Sequence, residues 1–465
     1  MQLYHQLSAF TSVPIRPAIA TITLTATLFS PPFSSPAQAL LPTLQWKQQL
    51  GTSLLDESYD VATDSNSNVY ISGSVCKLGG TAKPVGGNRQ NRDLGQTVYL
   101  RDKLPRLHLT SLNVSGSCDA GVAKFSSNGT LLWKKQLASL GNDRSTSVTV
   151  DRTGNVYISG DTTGALAGTY QGSNDSWVAK YNSTGKAEWR KQLGTTEDDR
   201  SQSVTVDSTG NVYISGYTTG ALAGTSKGGY DAWVAKYNNS GILQWKQQLG
   251  TAGDDRSFGV AADSTGNVYI SGYTTGPLAG TSKGGFSDAW MAKYASSGKL
   301  QWKKQPGTSS YDTSSGIAID RADNIYISGY TEGALAGTYQ GGGDAWAAKY
   351  DSSGKLQWKK QLGCSSYDTS LGVTTDSNGN VYITGYTEGA LAGTYQGGGD
   401  AWAAKYDSNG SLQWKQQLGT STFDISFGVA VDSTGSVYIS GDTYGSLAGT
   451  YQGGGGDAWD AKYSQ

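Results

Sequence analysis

Histidine is almost missing from this chain of 465 residues, which has only His5 near its start and His108. A Ser-His-Asp triad or a His-based zinc site therefore has almost nothing to be built from. Cysteine is scarce too, with 3 residues, far too few for a disulfide-dense scaffold. Neither sign of charge is in excess: 36 Lys and Arg stand against 37 Asp and Glu, a net of -1. That balance argues against a nucleic-acid partner and leaves no acidic tail. No stretch beyond the N-terminal leader shows sustained helical periodicity, and none is long and apolar enough to span a bilayer. No Gly-rich segment opens a helix, so the glycines are not phosphate loops.

What the chain does have is glycine, 64 residues, together with 13 Trp and 28 Tyr. So much glycine implies many tight turns. Pro is only 10 and the apolar pattern is regular, which disfavours disorder. The N-terminus has the pattern of an export signal over residues 1–39. Arg16 precedes an apolar run from Ala18 to Phe29, then Ser/Pro-rich residues, then Ala37-Gln38-Ala39 as the cleavage triplet before Leu40. The expected location is outside the cytoplasm: periplasmic, extracellular or at the cell surface.

Repeats dominate the remainder, residues 40–465, which are expected to form a single domain. One Trp series runs Trp46, Trp133, Trp189, Trp245, Trp302, Trp358 and Trp414, with intervals of 56 or 57 after a first interval of 87. An Asp-Ala-Trp series, or a relative of it, starts at Asp119, Asp175, Asp231, Asp288, Asp344, Asp400 and Asp457. The first of these reads Asp-Ala-Gly, so the two series account for all 13 Trp. One unit shows the pattern. Ser203–Asp207 alternates apolar and polar residues and is followed by a Ser-Thr-Gly turn. Asn211–Ser215 alternates again, with Gly216 expected to end it. A long loop, Tyr217–Tyr230, leads to Ala232–Tyr237, and the turn Asn238–Gly241 to Leu243–Leu249. Four short period-2 runs joined by turn residues predict an all-β fold of seven units, each with four antiparallel strands, a to d from the axis outwards: a seven-bladed β-propeller. Small side chains suit strand a at the crowded centre. Lys or Arg after each strand-d Trp discourages edge pairing. The Trp series themselves read as packing between blades.

The units resemble the SBBP repeats of bacterial secreted and surface proteins, a family named for the seven-bladed β-propeller. The resemblance covers about residues 44–465 and rests on the pattern LGTxxxDxSxGVAVDSTGNVYISGYTTGxLAGT…DAWVAKY…LQW. It implies a propeller related to the WD-repeat type and transfers no catalytic residue. Blade 1 departs from it by an insertion.

The ring can be counted. Runs a, b and c each occur seven times up to Tyr463, but the first d run, residues 44–50, precedes the first a. This N-terminal strand is predicted to complete the last blade and close the ring. An open solenoid would leave that strand and both end faces unpaired.

The b-to-c loops and d-to-a connections should share one face. Six b-to-c loops carry Gly-x-Leu-Ala-Gly-Thr, and four continue with Tyr170, Tyr339, Tyr395 and Tyr451. These tyrosines are candidate ligand contacts for a glycan or a peptide. Each d-to-a connection carries an Asp: Asp56, Asp143, Asp199, Asp255, Asp312, Asp368 and Asp424, with a Ser two residues on. A structural role explains their occurrence in every unit: the Asp accepts backbone N–H groups and the Ser does likewise in an ST-type turn. Ca²⁺ binding by the same carboxylates is a second reading. Cys76 and Cys118 bracket the insertion and are the natural disulfide pair, while Cys364 stands where other units have Thr. The insertion, about residues 82–117, is basic: the Cys76–Cys118 segment carries seven Lys and Arg and two Asp, besides His108. It is either a tolerated loop or a contact for an acidic partner, such as an anionic polysaccharide or an envelope component. The expected function is a non-catalytic binding or scaffold module, monomeric, without a required cofactor. A polysaccharide hydrolase or lyase using the carboxylates of that face is the enzymatic alternative, and a Ca²⁺-binding surface protein a third.

Overall fold

The structure is a computed structural model and describes residues 41–52, 56–76 and 118–464. The leader (1–39) and the inserted residues 82–117, with His108, lie outside the described residues. Among those described there are twenty-eight strands and no helix. β1 (Thr43–Leu50) comes first. β2 (Asp56–Thr63), β3 (Val69–Cys76), β4 (Cys118–Phe125) and β5 (Leu131–Leu137) are strands a to d of blade 1. The next twenty strands, residues 143–418, form blades 2 to 6 in the same order. β26 (Asp424–Val431), β27 (Val437–Thr443) and β28 (Asp457–Ser464) are strands a to c of blade 7, and β1 is its strand d. The closing pair is antiparallel, with Lys47 opposite Ala461 and Leu50 opposite Ala458. The seven-bladed ring is therefore closed as its repeat count requires. Cys76 faces Cys118 across β3 and β4, and the two form a disulfide.

Two features of the strands differ from the sequence pattern. Strand a begins at the Asp itself, as in Asp199–Val206, and strand b runs through its glycine to Thr218. Gly216 is not a terminator. Strand a carries a bulge between Ser201 and Ser203, and its backbone bows toward Gly216. A Cβ on Gly216 would lie 1.8 Å from the Arg200 carbonyl oxygen, so no other residue fits. The same bulge faces the same glycine in all seven blades.

The core lies in the seams between blades. The strand-c indoles of Trp177, Trp233, Trp290, Trp346, Trp402 and Trp459 are buried there, each against the preceding blade. Losing one such ring costs about 3–5 kcal/mol. The strand-d indoles play a different part. They are mostly half-buried, and Nε1 of Trp46, Trp133, Trp189, Trp245 and Trp358 donates to a carbonyl in the c-to-d turn of the next blade at 2.9–3.4 Å. Gly241 of such a turn sits under the Trp189 ring at φ 74°, where an added Cβ would come within 2.8 Å of the indole. At these five seams the rim is tied blade to blade. Trp414 faces the β28–β1 junction instead, and its Nε1 has no partner among the described residues.

Candidate binding face

The seven predicted aspartates sit at the start of strand a, on the long-loop face, and all are buried. Oδ2 of each accepts the backbone N–H four residues earlier at 2.5–2.6 Å, from Thr52 in blade 7 round to Thr420. Cys364 takes the Thr place in this motif and donates its N–H to Asp368. In five blades Oδ1 also accepts a Thr hydroxyl from the end of strand b, as Asp199 does from Thr218. Burial pushes the pKa of these carboxyls up, and the hydroxyl and N–H donors pull it back. The carboxylates are turn locks. The Ser two residues on is no ST-turn acceptor: Ser314, Ser370 and Ser426 donate across the bulge to carbonyls of strand b. Among the described residues no three His, Cys, Asp or Glu side chains converge to hold a metal.

The four loop tyrosines are on the surface: Tyr170, Tyr339 and Tyr395 are 40%, 38% and 37% exposed, and Tyr451 is half-buried. The loops that carry them are not slack. The Leu of each Gly-x-Leu-Ala-Gly-Thr core, such as Leu222 or Leu391, is buried in a seam. A glutamine three residues after each strand-d Trp staples the loop down. Its Nε2 donates to the strand-c Asp at 2.6–2.9 Å in all seven blades. In the six blades with this loop, Nε2 also bonds the loop Gly carbonyl at 2.9–3.0 Å, and Oε1 accepts the loop Ala N–H at 2.8–3.0 Å. The glutamines are Gln49, Gln136, Gln192, Gln248, Gln305, Gln361 and Gln417. Their fixed distance from Trp was the sequence signal for this role, and reading strand d only for its edge charges passed over it.

The mouth of the axial channel breaks the sevenfold pattern, which reading only what the units share also passed over. On blades 2 to 4 the residue after the strand-a Asp is Arg144, Arg200 or Arg256. Arg144 forks onto Asp161 at 2.7 and 3.1 Å, Arg200 pairs with Asp198 at 3.0 Å, and Arg256 lies 4.0 Å over the Tyr230 ring. On blades 5 to 7 the same rim is aromatic. Tyr330, Tyr367 and Tyr386 stack at 4.9 and 5.3 Å, and Phe423 continues the arc at 5.2 Å. Below lies an axial cavity of about 200 Å³ lined only by strands a. One wall carries Asp60, Ser147 and Ser203. The other carries Gly259, Gly316, Gly372 and Gly428 with Phe258, Leu371 and Phe427. Burial raises the Asp60 pKa to about 6 against the pull of bonds from Val148 N–H and the Ser147 hydroxyl. Asp442, buried near Glu57, is raised well above the usual carboxylate range.

Similarity to known proteins agrees with this geometry. The SBBP beta-propeller repeat matches seven times, at residues 45–74, 132–166, 188–222, 244–279, 301–335, 357–391 and 413–448, together more than half the chain. The chain belongs to the SBBP beta-propeller repeat family. Each match of this family begins on a strand d and runs into a strand b or the loop beyond it. An uncharacterized WD repeat-containing protein of Acanthamoeba polyphaga mimivirus is 24% identical over 85% of this chain and 36% of its own length. Regulatory protein FlaEY of Caulobacter vibrioides is 23% identical over 72% of this chain and 40% of its own. The SBBP chain thus spans well under half the length of these relatives. Among solved structures, the WD40 beta-propeller domain of Doa1 is similar over 91% of this chain and 97% of its own, at 12% identity and a TM-score of 0.46.

Proposed function

We propose that this propeller is an exported, non-catalytic binding or scaffold module that engages an extended partner, a glycan or a protein, through its long-loop face. The observation that carries this reading is the stapled tyrosine loop. Four blades hold an aromatic ring outwards on the same loop, and each loop is fixed by its buried Leu and by Gln to Asp hydrogen bonds. Rings held rigidly before contact lose little entropy on binding. Identical contacts around one face suit a partner with repeating chemistry, because each further contact is intramolecular. Export is supported by the leader pattern of residues 1–39 and by the Cys76–Cys118 pair, which suits an oxidising compartment.

The asymmetric carboxylates of the mouth are the feature that speaks for an enzyme. Both Asp60 oxygens are engaged, by Val61 N–H and by Ser147 and Val148, and Asp442 Oδ1 accepts Ser58 N–H. Such bonds fit a structural role better than proton transfer to a substrate. The test is a glycan and protein binding screen with the mature chain, repeated with Tyr170, Tyr339, Tyr395 and Tyr451 changed to Ala. Binding that falls at least about tenfold without loss of Tm supports the reading. Binding unaffected by all four changes, or steady turnover of a polysaccharide, defeats it.

A further inference from the structure

Six of the seven seams are filled by a strand-c indole, but the seam between blades 7 and 1 has Gly121 at that place. A cavity of about 420 Å³ opens there, lined among others by Leu50, Ile71, Val75, Gly121, Val122 and Ala458. The backbone would accept a side chain: a Cβ on Gly121 meets nothing nearer than 3.8 Å. In two of the six filled seams the indole N–H finds a strand-b carbonyl, while Nε1 of Trp177, Trp233, Trp402 and Trp459 has no partner among the described residues. Trp290 Nε1 donates to the Tyr273 carbonyl at 2.8 Å, and Trp346 Nε1 to the Tyr330 carbonyl at 3.1 Å. Gly272 is opposite Trp290 as Gly73 is opposite Gly121, so Ser74 holds the place of Tyr273.

A second observation points into the same cavity. Asp56 and Ser74 both line it, and both are buried, yet Asp56 Oδ1 and Ser74 Oγ have no hydrogen-bond partner among the described residues. In five blades the Thr opposite the strand-a Asp donates to its Oδ1, but Asp56 is opposite Val75, which has no donor to give. A buried acceptor left unmatched is costly, and a donor brought by a ligand would relieve that cost.

We propose that the cavity between blades 7 and 1 binds a small, flat, bicyclic aromatic molecule of indole type, whose ring takes the place of the missing Trp and whose N–H meets the Ser74–Asp56 edge. Apolar cavities of smaller size are known to take up aromatic rings. This site is independent of the tyrosine loops.

Indole itself is the probe, titrated into the full chain with calorimetry and thermal melting as readouts. The expected result is saturable 1:1 binding with a Tm that rises with indole concentration. Benzothiophene, of the same shape without the N–H, should bind about fivefold more weakly. Gly121→Trp should raise Tm and abolish indole binding. Should that variant fail to fold, Gly121→Leu decides the matter by weakening binding at least about tenfold, since it fills part of the same space. Absence of saturable indole binding to the wild-type chain, or binding unchanged in the folded Gly121 variant, overturns the proposal.

Discussion

Gln49 Nε2 donates to the Asp457 carboxylate at 2.7 Å across 408 positions of the chain. The same glutamine bonds the Gly445 carbonyl and the Ala448 N–H. β1 therefore closes the ring by its ladder and also locks the last tyrosine loop. Gln49→Ala is expected to lower stability by about 1–3 kcal/mol, because a buried carboxylate loses a donor. Gln248→Ala, the same change inside blade 3, should cost a similar amount. Only the Gln49 variant should speed hydrogen exchange in β1 and β28. Equal exchange in both variants would separate the staple from closure.

Removing residues 44–50 altogether should destabilise the chain far more than deleting an equal length of the insertion. The exposed edge of β28 would invite pairing with other molecules. Size-exclusion chromatography should show a monomer for the full mature chain and larger species for the truncation. A truncated chain that stays monomeric with the same Tm would refute closure as the source of stability.

Asp460 gives a pH signature. It is buried in the strand-c place occupied by Val178, Val234 or Met291 in other blades, and its pKa is pushed up to about 7 by burial, against a bond from Gln48. A carboxyl whose folded pKa is raised favours the protonated form. The contribution of Asp460 to stability is then least unfavourable below about pH 4 and worsens as pH rises toward 7. Asp460→Val should leave the Tm near pH 4 little changed. Near pH 8 it should raise stability, on the order of 2–4 kcal/mol. The same gain at both pH values would show that packing, not charge, is the cause.

The strand-a aspartates serve as turn locks, and their Oδ2 atoms are already engaged by backbone N–H groups. Melting in a strong chelator should match melting in added Ca²⁺. Asp199→Asn, which keeps one acceptor, should cost less than Asp199→Ala, with a difference of about 1 kcal/mol. A Tm that drops in chelator and recovers with Ca²⁺ would restore the cation reading.

Cys76→Ser tests the one disulfide of the described residues. The ladder between β3 and β4 runs from Val69 to Cys76, so the blade should survive without the bond. The expected loss is about 2–4 kcal/mol with the far-ultraviolet spectrum unchanged. A spectrum that loses its β signature would mean that the disulfide, not the ladder, holds blade 1.

Blade number, strand order and ring closure were legible because the repeat puts the same residues at the same intervals, and the lone first d run leaves one arrangement with no open edge. Strand limits were less legible: Gly216 looks like a stop until the bulge opposite it is known. The turn role of the seven aspartates was readable from their recurrence, while the glutamine staple joins residues of strands c and d and a loop that are neighbours only once the blade is folded.

The residues alone determined the architecture, since periodic alternation and turn glycines are local properties that survive being read one unit at a time. The three-dimensional fold decided what differs between units. Arg144 reaches the Tyr59 ring of blade 1 only because the ring sets neighbouring blades side by side, and the absence of an indole at Gly121 becomes a cavity only because β1 returns to set blade 7 against blade 1. Contacts across a closed ring depend on every blade at once, so no single unit of sequence contains them.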